Sequence, residues 1–285
     1  MLLLAGGGWT ASLLPEAGGA MASLAFRGLD VLARLPLGAD PNRSFRGAFV
    51  MAPWANRLDG GRLPVAGVEH RLPINRREDG TAIHGFARDR AWAVQQAEPS
   101  RAVLAQQADD SDPAFPWRYA ARLEVSLDAA GAAVALSLAN TAAVPFPFGL
   151  GWHPFFLRTP DTRLRFRAGT LFARDARCLP VAEQATAGID GGEAAYAGLD
   201  THFAGWDGAA EIARPGLRVS MAAEGAWAAN LQVFAPAGGD VLCVEPVSHV
   251  PDAPNRPLFA RRGPMAVLPP GGALSARLVV AAAEA

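Results

Sequence analysis

The chain has 285 residues, 51% of them hydrophobic and 8% aromatic, and a formal net charge of −1. That length and composition suit one large globular domain, and the near-neutral charge argues against a nucleic-acid or acidic-membrane surface. All 26 basic residues are Arg; without a lysine amine the chain cannot run Schiff-base aldolase or pyridoxal-phosphate chemistry, nor supply the lysine of a Walker A loop or an ordinary protein kinase.

The first residues, Met1-Leu-Leu-Leu, lack a basic n-region and their apolar run breaks at Gly6, so no signal peptide is expected. No uninterrupted apolar run outside the Ala/Gly-rich stretches reaches the roughly 18 residues of a membrane span, which makes a soluble, cytoplasmic protein the expectation. Residues 91–108 are rich in alanine and fit either period, but the Trp92-Ala-Val94 start favours a strand. Arg122–Leu127 and Ala133–Leu138 alternate apolar and polar residues on either side of Asp128-Ala-Ala-Gly131, which predicts a hairpin. Arg163–Arg167 and Leu217–Met221 alternate in the same way. Leu231–Phe234 and Val241–Val244 flank a Pro-Ala-Gly-Gly-Asp turn at 236–240, and Leu274–Val280 predicts a last strand. The 30 glycines and 23 prolines are scattered as many short strands require. No long window carries a helical period. The expected architecture is all-β, a large β-sandwich forming a single domain over residues 1–285.

Cys178 and Cys243 stand far apart and predict neither a disulfide framework nor a zinc knuckle. Of the five histidines, the default for each is a surface or satisfied core residue, and context lifts two. His84 precedes Gly85, which permits close backbone approach, and His153 sits at the centre of an aromatic, Gly-rich run from Phe146 to Phe156 that reads as a loop lining an apolar cleft. Glu245 ends the apolar run Val241–Val244 just before Pro246, at the rim of a core where its pKa is open to tuning. Asp200, in Gly198-Leu-Asp-Thr-His-Phe203, reads first as a turn or cap residue. Arg57 follows a rigid Pro-Trp lead-in and Asn56, and its guanidinium offers several fixed donors to a polyol.

The order Asn56-Arg57, His84-Gly85, Gly151-Trp-His153-Pro-Phe-Phe156, Asp200, and Cys243-Val-Glu245-Pro246 resembles the aldose 1-epimerase (galactose mutarotase) family across nearly the whole chain. The resemblance implies a β-supersandwich and interconversion of sugar anomers without a metal or redox cofactor. It implies His153 as the general acid at the ring oxygen and Glu245 as the general base at the anomeric hydroxyl, on opposite sides of one sugar. Arg57, His84 and Asp200 match the family's hydroxyl-binding groups, with Asp207 competing for the place of Asp200. Trp54, Trp152, Phe155 and Phe156 are candidates for stacking on a pyranose or for core packing. Two departures bear on substrate identity: Phe155 stands where the family usually has tyrosine, and Val247-Ser-His249 follows Glu245-Pro246 in place of the usual Gln or Met-Thr. The expected partner is a small-molecule sugar, with no nucleic acid or membrane, bound by a monomer or homodimer. Alternatives are a hexose-6-phosphate mutarotase using Asn75-Arg-Arg77 or Arg261-Arg262, a sugar-binding or regulatory protein on the same fold, a cupin-like metal enzyme using His84, His153, His249 and Glu245, and a glycosidase pairing Glu245 with Asp200.

Overall fold

A computed structural model describes residues 1–109 and 115–285. Two large antiparallel sheets dominate, one of 12 strands and one of nine. The predicted hairpin is there and longer than its alternation indicated: Tyr119–Asp128 pairs with Gly131–Asn140, closed at Asp128↔Gly131. Asp128 Oδ1 accepts from the amides of Ala130 and Gly131, an Asx turn that explains the acid at that position. Residues 91–108 form a second hairpin, Ala93–Glu98 with Arg101–Ala108. Both belong to the nine-stranded sheet, whose long strands alternate buried and more exposed residues because one face meets solvent.

The 12-stranded sheet is covered on both faces at its centre, where Ala48–Met51, Gly151–Pro154 and Val241–Val247 are wholly buried. Its central strands run in the order Ala20–Phe26, Ala48–Met51, Gly151–Pro154, Val241–Val247, Asn230–Phe234, Asp200–Ala204, Thr170–Arg174. Every residue of Val241–Val247 is buried. The period of two still shows in what each residue touches. Val50, Trp152, Leu242, Val244, Leu231 and Val233 join the main core, which also draws Leu123, Val134 and Leu278 from the facing sheet. Phe49, Met51, Val241, Cys243 and Val247 form a second apolar cluster on the opposite face, with Ala33, Ala55 and Phe155. That second face, roofed by loop segments, holds the candidate site.

His153 is therefore not on a loop. Gly151–Pro154 is a strand paired with Ala48–Met51, and Pro154 ends it because proline has no N–H for the ladder. Helix is confined, among the described residues, to short 3₁₀ turns and the single α-turn Pro257–Ala260. No helix is long and apolar enough to cross a membrane.

Candidate active site

One register line across the sheet assembles the floor of the site. Gly151 pairs with Val247, and Phe156 with Leu242, so the same register carries His153 opposite Glu245 and Phe155 opposite Cys243. Phe49 pairs with His153, Glu245 with Gln232, and Gln232 with His202. Directly paired residues point to the same face. The row Phe49–His153–Glu245–Gln232 thus lies on the outer face, flanked two positions along by Phe155, Phe234 and Asp200.

Two loop segments supply the wall. The strand Arg57–Asp59 pairs with Thr81–Ile83, which places Arg57 beside Ile83 and hence near His84. The amide of His84 donates to Asn56 O, and those of Phe86 and Ala87 to Ala52 O. Gly85 is required at this crossing: its φ is +67°, and a Cβ there would stand 2.0 Å from Ala52 O. His249 pins the same segment from below. It is fully buried, its Nε2 accepts from the amide of Ala55, and its Nδ1 donates to Val250 O. With both nitrogens committed, His249 has no lone pair for a metal.

These elements enclose a cavity of about 660 Å³ whose lining includes Arg57, His84, His153, Asp200 and Glu245. All five sequence candidates thus converge on one space. Asp207 lies exposed in a turn, where its Oδ1 accepts from the amide of Ala209. His153 Nε2 lies 3.3 Å from Glu245 Oε1, both side chains almost wholly buried. The acid and base candidates are therefore side by side, rather than across a ligand as the sequence reading had them. The His153 ring stacks on Phe49 at a centroid distance of 4.6 Å, meets Phe155 at a tilt at 4.6 Å and meets His84 edge-on at 5.1 Å. Arg57 is buried and doubly paired, its Nε donating to Asp79 Oδ2 at 2.9 Å and its Nη2 to Asp200 Oδ2 at 3.2 Å. Gln232 Nε2 donates to the other oxygen of Asp200 at 2.6 Å.

Burial governs the proton chemistry. Desolvation, and then the charge of Arg88, bring the His153 imidazolium down to about 3, and the same two causes hold His84 well below the ordinary histidine range. Desolvation, reinforced by the charge of Asp200, raises the Glu245 carboxyl well above its usual range. Both shifts favour the neutral forms, the carboxyl of Glu245 over its carboxylate and the imidazole of His153 over its imidazolium. Several buried polar atoms here lack a protein partner, among them His84 Nδ1, Gln232 Oε1 and Glu245 Oε2. Buried polar groups are normally paired, so unpaired ones concentrated in one cavity mark a place where a polar ligand completes the set.

Phe49, Asp79, Arg88 and Gln232 were missed by sequence reasoning. Gln232 had a signal, an amide within the apolar run Leu231–Phe234; the other three had none. Of the aromatic candidates, Phe155 lines the cavity, whereas Trp54, Trp152 and Phe156 lie in the main core. Arg261 and Arg262 both pair with Glu183, outside the cavity, and the Asn75 side chain clamps the backbone of Ile83. Among the described residues, His153, Cys243 and Glu245 bring potential ligand atoms within 4.8 Å of one another. Burial and the Glu245 charge push the Cys243 thiol well up, away from the thiolate that a metal needs.

A family model described as aldose 1-epimerase matches residues 2–281. The uncharacterized protein YphB of Escherichia coli K12 is 29% identical over 237 residues, covering 78% of this chain and 79% of that protein. A galactose mutarotase-like protein from Clostridium acetobutylicum superposes with a TM-score of 0.88 at 20% identity, over 99% of this chain and 95% of that one. Galactose 1-epimerase from Lactobacillus acidophilus gives 0.76 at 15% identity, over 98% and 92%.

Proposed function

This chain belongs to the aldose 1-epimerase family, and from that premise we propose that it interconverts the α and β anomers of a reducing aldohexose by general acid/base ring opening and reclosure. The observation that carries the reading is the 3.3 Å contact between His153 and Glu245 on the floor of a cavity rich in unpartnered polar atoms.

Ring opening takes one proton from the anomeric hydroxyl and puts one on the ring oxygen. Both oxygens are bonded to C1, so an acid and a base standing side by side suit the task. His153, carrying the pair's proton, gives it to the ring oxygen, while Glu245 accepts the anomeric proton. The C1–O5 bond breaks and C1 becomes a carbonyl. Rotation about C1–C2 presents the other carbonyl face, and the reverse transfers close the ring. The pair regains its starting state with no net change in protons.

Burial favours that proton on Glu245, so it crosses to His153 before the step. Their contact supplies the route, and sugar hydroxyls stabilise the carboxylate that results. Arg57, fixed by Asp79 and Asp200, keeps its Nη1 hydrogens outside both pairs, available to a hydroxyl. Neutral His84 both donates and accepts, as a hydroxyl does. Phe49, stacked on the His153 ring, and Phe155, packed against it at a tilt, hold that ring in place.

The test is polarimetry on freshly dissolved α-glucose and α-galactose. The protein is expected to speed the approach to equilibrium rotation. His153→Ala and Glu245→Ala are each expected to abolish this while calorimetry still detects sugar binding. Sugar binding by the unaltered protein without any anomerisation would reassign it as a binding protein.

A further inference from the structure

The mouth of the cavity is built for more than one sugar ring. Phe45 has a φ of +48°, a left-handed conformation that costs a bulky residue strain, and its side chain is about half exposed. Phe45 lines the same cavity as the catalytic pair. Its ring lies 5.9 Å from that of Phe155 and 6.0 Å from that of Phe234. Phe155 in turn lies 4.6 Å from His153. An unbroken aromatic strip therefore runs from the reacting imidazole out to the mouth.

Two polar atoms of the lining are buried without a hydrogen-bond partner. One is a donor, Arg88 Nε, and the other an acceptor, Asn42 Oδ1. Both residues line the cavity. A hydroxyl satisfies both kinds at once, whereas an anion satisfies the donor alone. Charge points the same way. Each arginine here has a carboxylate at hand: Arg43 has Asp40 at 3.6 Å, Arg76 has Asp79 at 3.4 Å and Arg88 has Asp89 at 3.9 Å. A phosphate or carboxylate on the sugar would meet those acids. The cavity also has more room than one hexose fills.

We propose that Phe45, with Asn42 and Arg88, forms a second, outer subsite that holds the next pyranose of a neutral reducing oligosaccharide whose reducing end occupies the catalytic floor. This rests on the mutarotase reading for the inner ring. The orientation follows from the chemistry, since only the reducing end has an anomeric hydroxyl. Sugars stack their apolar C–H faces on aromatic rings and fill the edges with hydroxyl hydrogen bonds, and the mouth offers both.

The experiment compares maltose and lactose with glucose and galactose, by calorimetry and by polarimetric kcat/KM, in the unaltered protein and in Phe45→Gly. The disaccharides are expected to bind roughly tenfold more tightly than the monosaccharides, the scale of one good aromatic contact. Phe45→Gly is expected to erase that advantage, to leave monosaccharide turnover unchanged, and to unfold no more easily than the parent, since glycine relieves the positive φ. Equal affinity for one and two rings in the unaltered protein, or an advantage that survives Phe45→Gly, would overturn the outer subsite. Tighter binding of hexose 6-phosphate than of either disaccharide would overturn it in favour of an anion site. If disaccharides bind tightly but no sugar is anomerised, the subsite stands and the catalytic reading falls.

Discussion

Replacing Glu245 with glutamine should make the protein both inactive and more stable. A general base contributes roughly 10²–10⁴-fold to a proton-transfer step, which is about 3–5 kcal/mol of barrier. The amide keeps the size of the side chain and removes its basicity, so kcat should fall by that factor. The stability gain follows from burial. Glu245 is 1% exposed, and its carboxyl is held well above its usual range by desolvation and Asp200. Between the unfolded value, about 4.3, and the raised folded one, the unfolded chain is ionised while the folded chain still carries the proton. Folding stability therefore falls as pH rises through that window, by up to about 1.4 kcal/mol per pH unit. Glutamine carries no such penalty, and its cross-strand neighbour Gln232 has an unpartnered Oε1. The advantage of Glu245→Gln should be absent near pH 4 and grow toward pH 8. Each kcal/mol should raise Tm by about 2–4 °C in a chain of this size. Thermal melts at pH 4, 6 and 8 read the stability, and polarimetry reads the activity. A variant retaining more than a tenth of the activity would refute the base assignment. One that melts below the parent at pH 8 would refute the account of the buried acid.

Two further outcomes follow from the same geometry. The pair titrates as a unit, singly protonated between a low limit near the His153 value of about 3 and a high one set by raised Glu245. A plot of kcat/KM against pH should stay flat from about pH 5 to beyond neutrality, whereas loss of activity below an apparent pKa near 6.5 would mean that the imidazole titrates as if solvated. Gly85→Ala puts a Cβ 2.0 Å from Ala52 O at a φ of +67° and should cost about 1–3 kcal/mol or more, with a raised KM as His84 and Arg57 shift. Gly192→Ala, at a φ of −81° with nothing within 4 Å of its new Cβ, is the neutral control in the same denaturant titration.

Strand identity was legible because the two sheets differ in what covers them. Arg122–Leu127 alternates cleanly since one face of its sheet meets water. Val241–Val247 does not alternate, being buried on both faces, yet the turn at 236–240 and the apolar run Val241–Val244 still marked it; the strand runs on through Glu245 and Pro246 to Val247, where the sequence suggested that the acid ends it. The Phe146–Phe156 run misled for the opposite reason. Its glycines and prolines read as loop, but Gly151 serves close packing, since a Cβ there would meet Met51, Ala55 and Val247. Residues that carry chemistry by type, the histidines, Glu245 and Arg57, were visible. Those that act by position were not: Phe49 is one of 14 phenylalanines, and nothing in its neighbourhood separates it from the core ones.

What no reading of local pattern supplies is register. His153 and Glu245 are neighbours because Gly151 pairs with Val247, and a slip of one residue would turn Glu245 into the main core and Val244 into the cavity. The packing of the main core opposes that slip: Leu242 and Val244 fill the space between the sheets, and a slip would replace them there with Glu245, moving its carboxyl from the polar cavity into a wholly apolar core with no partner. The core therefore does more than hold the sheets together. By fixing which side chains point inward, it fixes the spacing of the acid and base on the other face. A mutation at Val244, which touches no substrate, should act on the catalytic pair through this register rather than through any contact with the cavity.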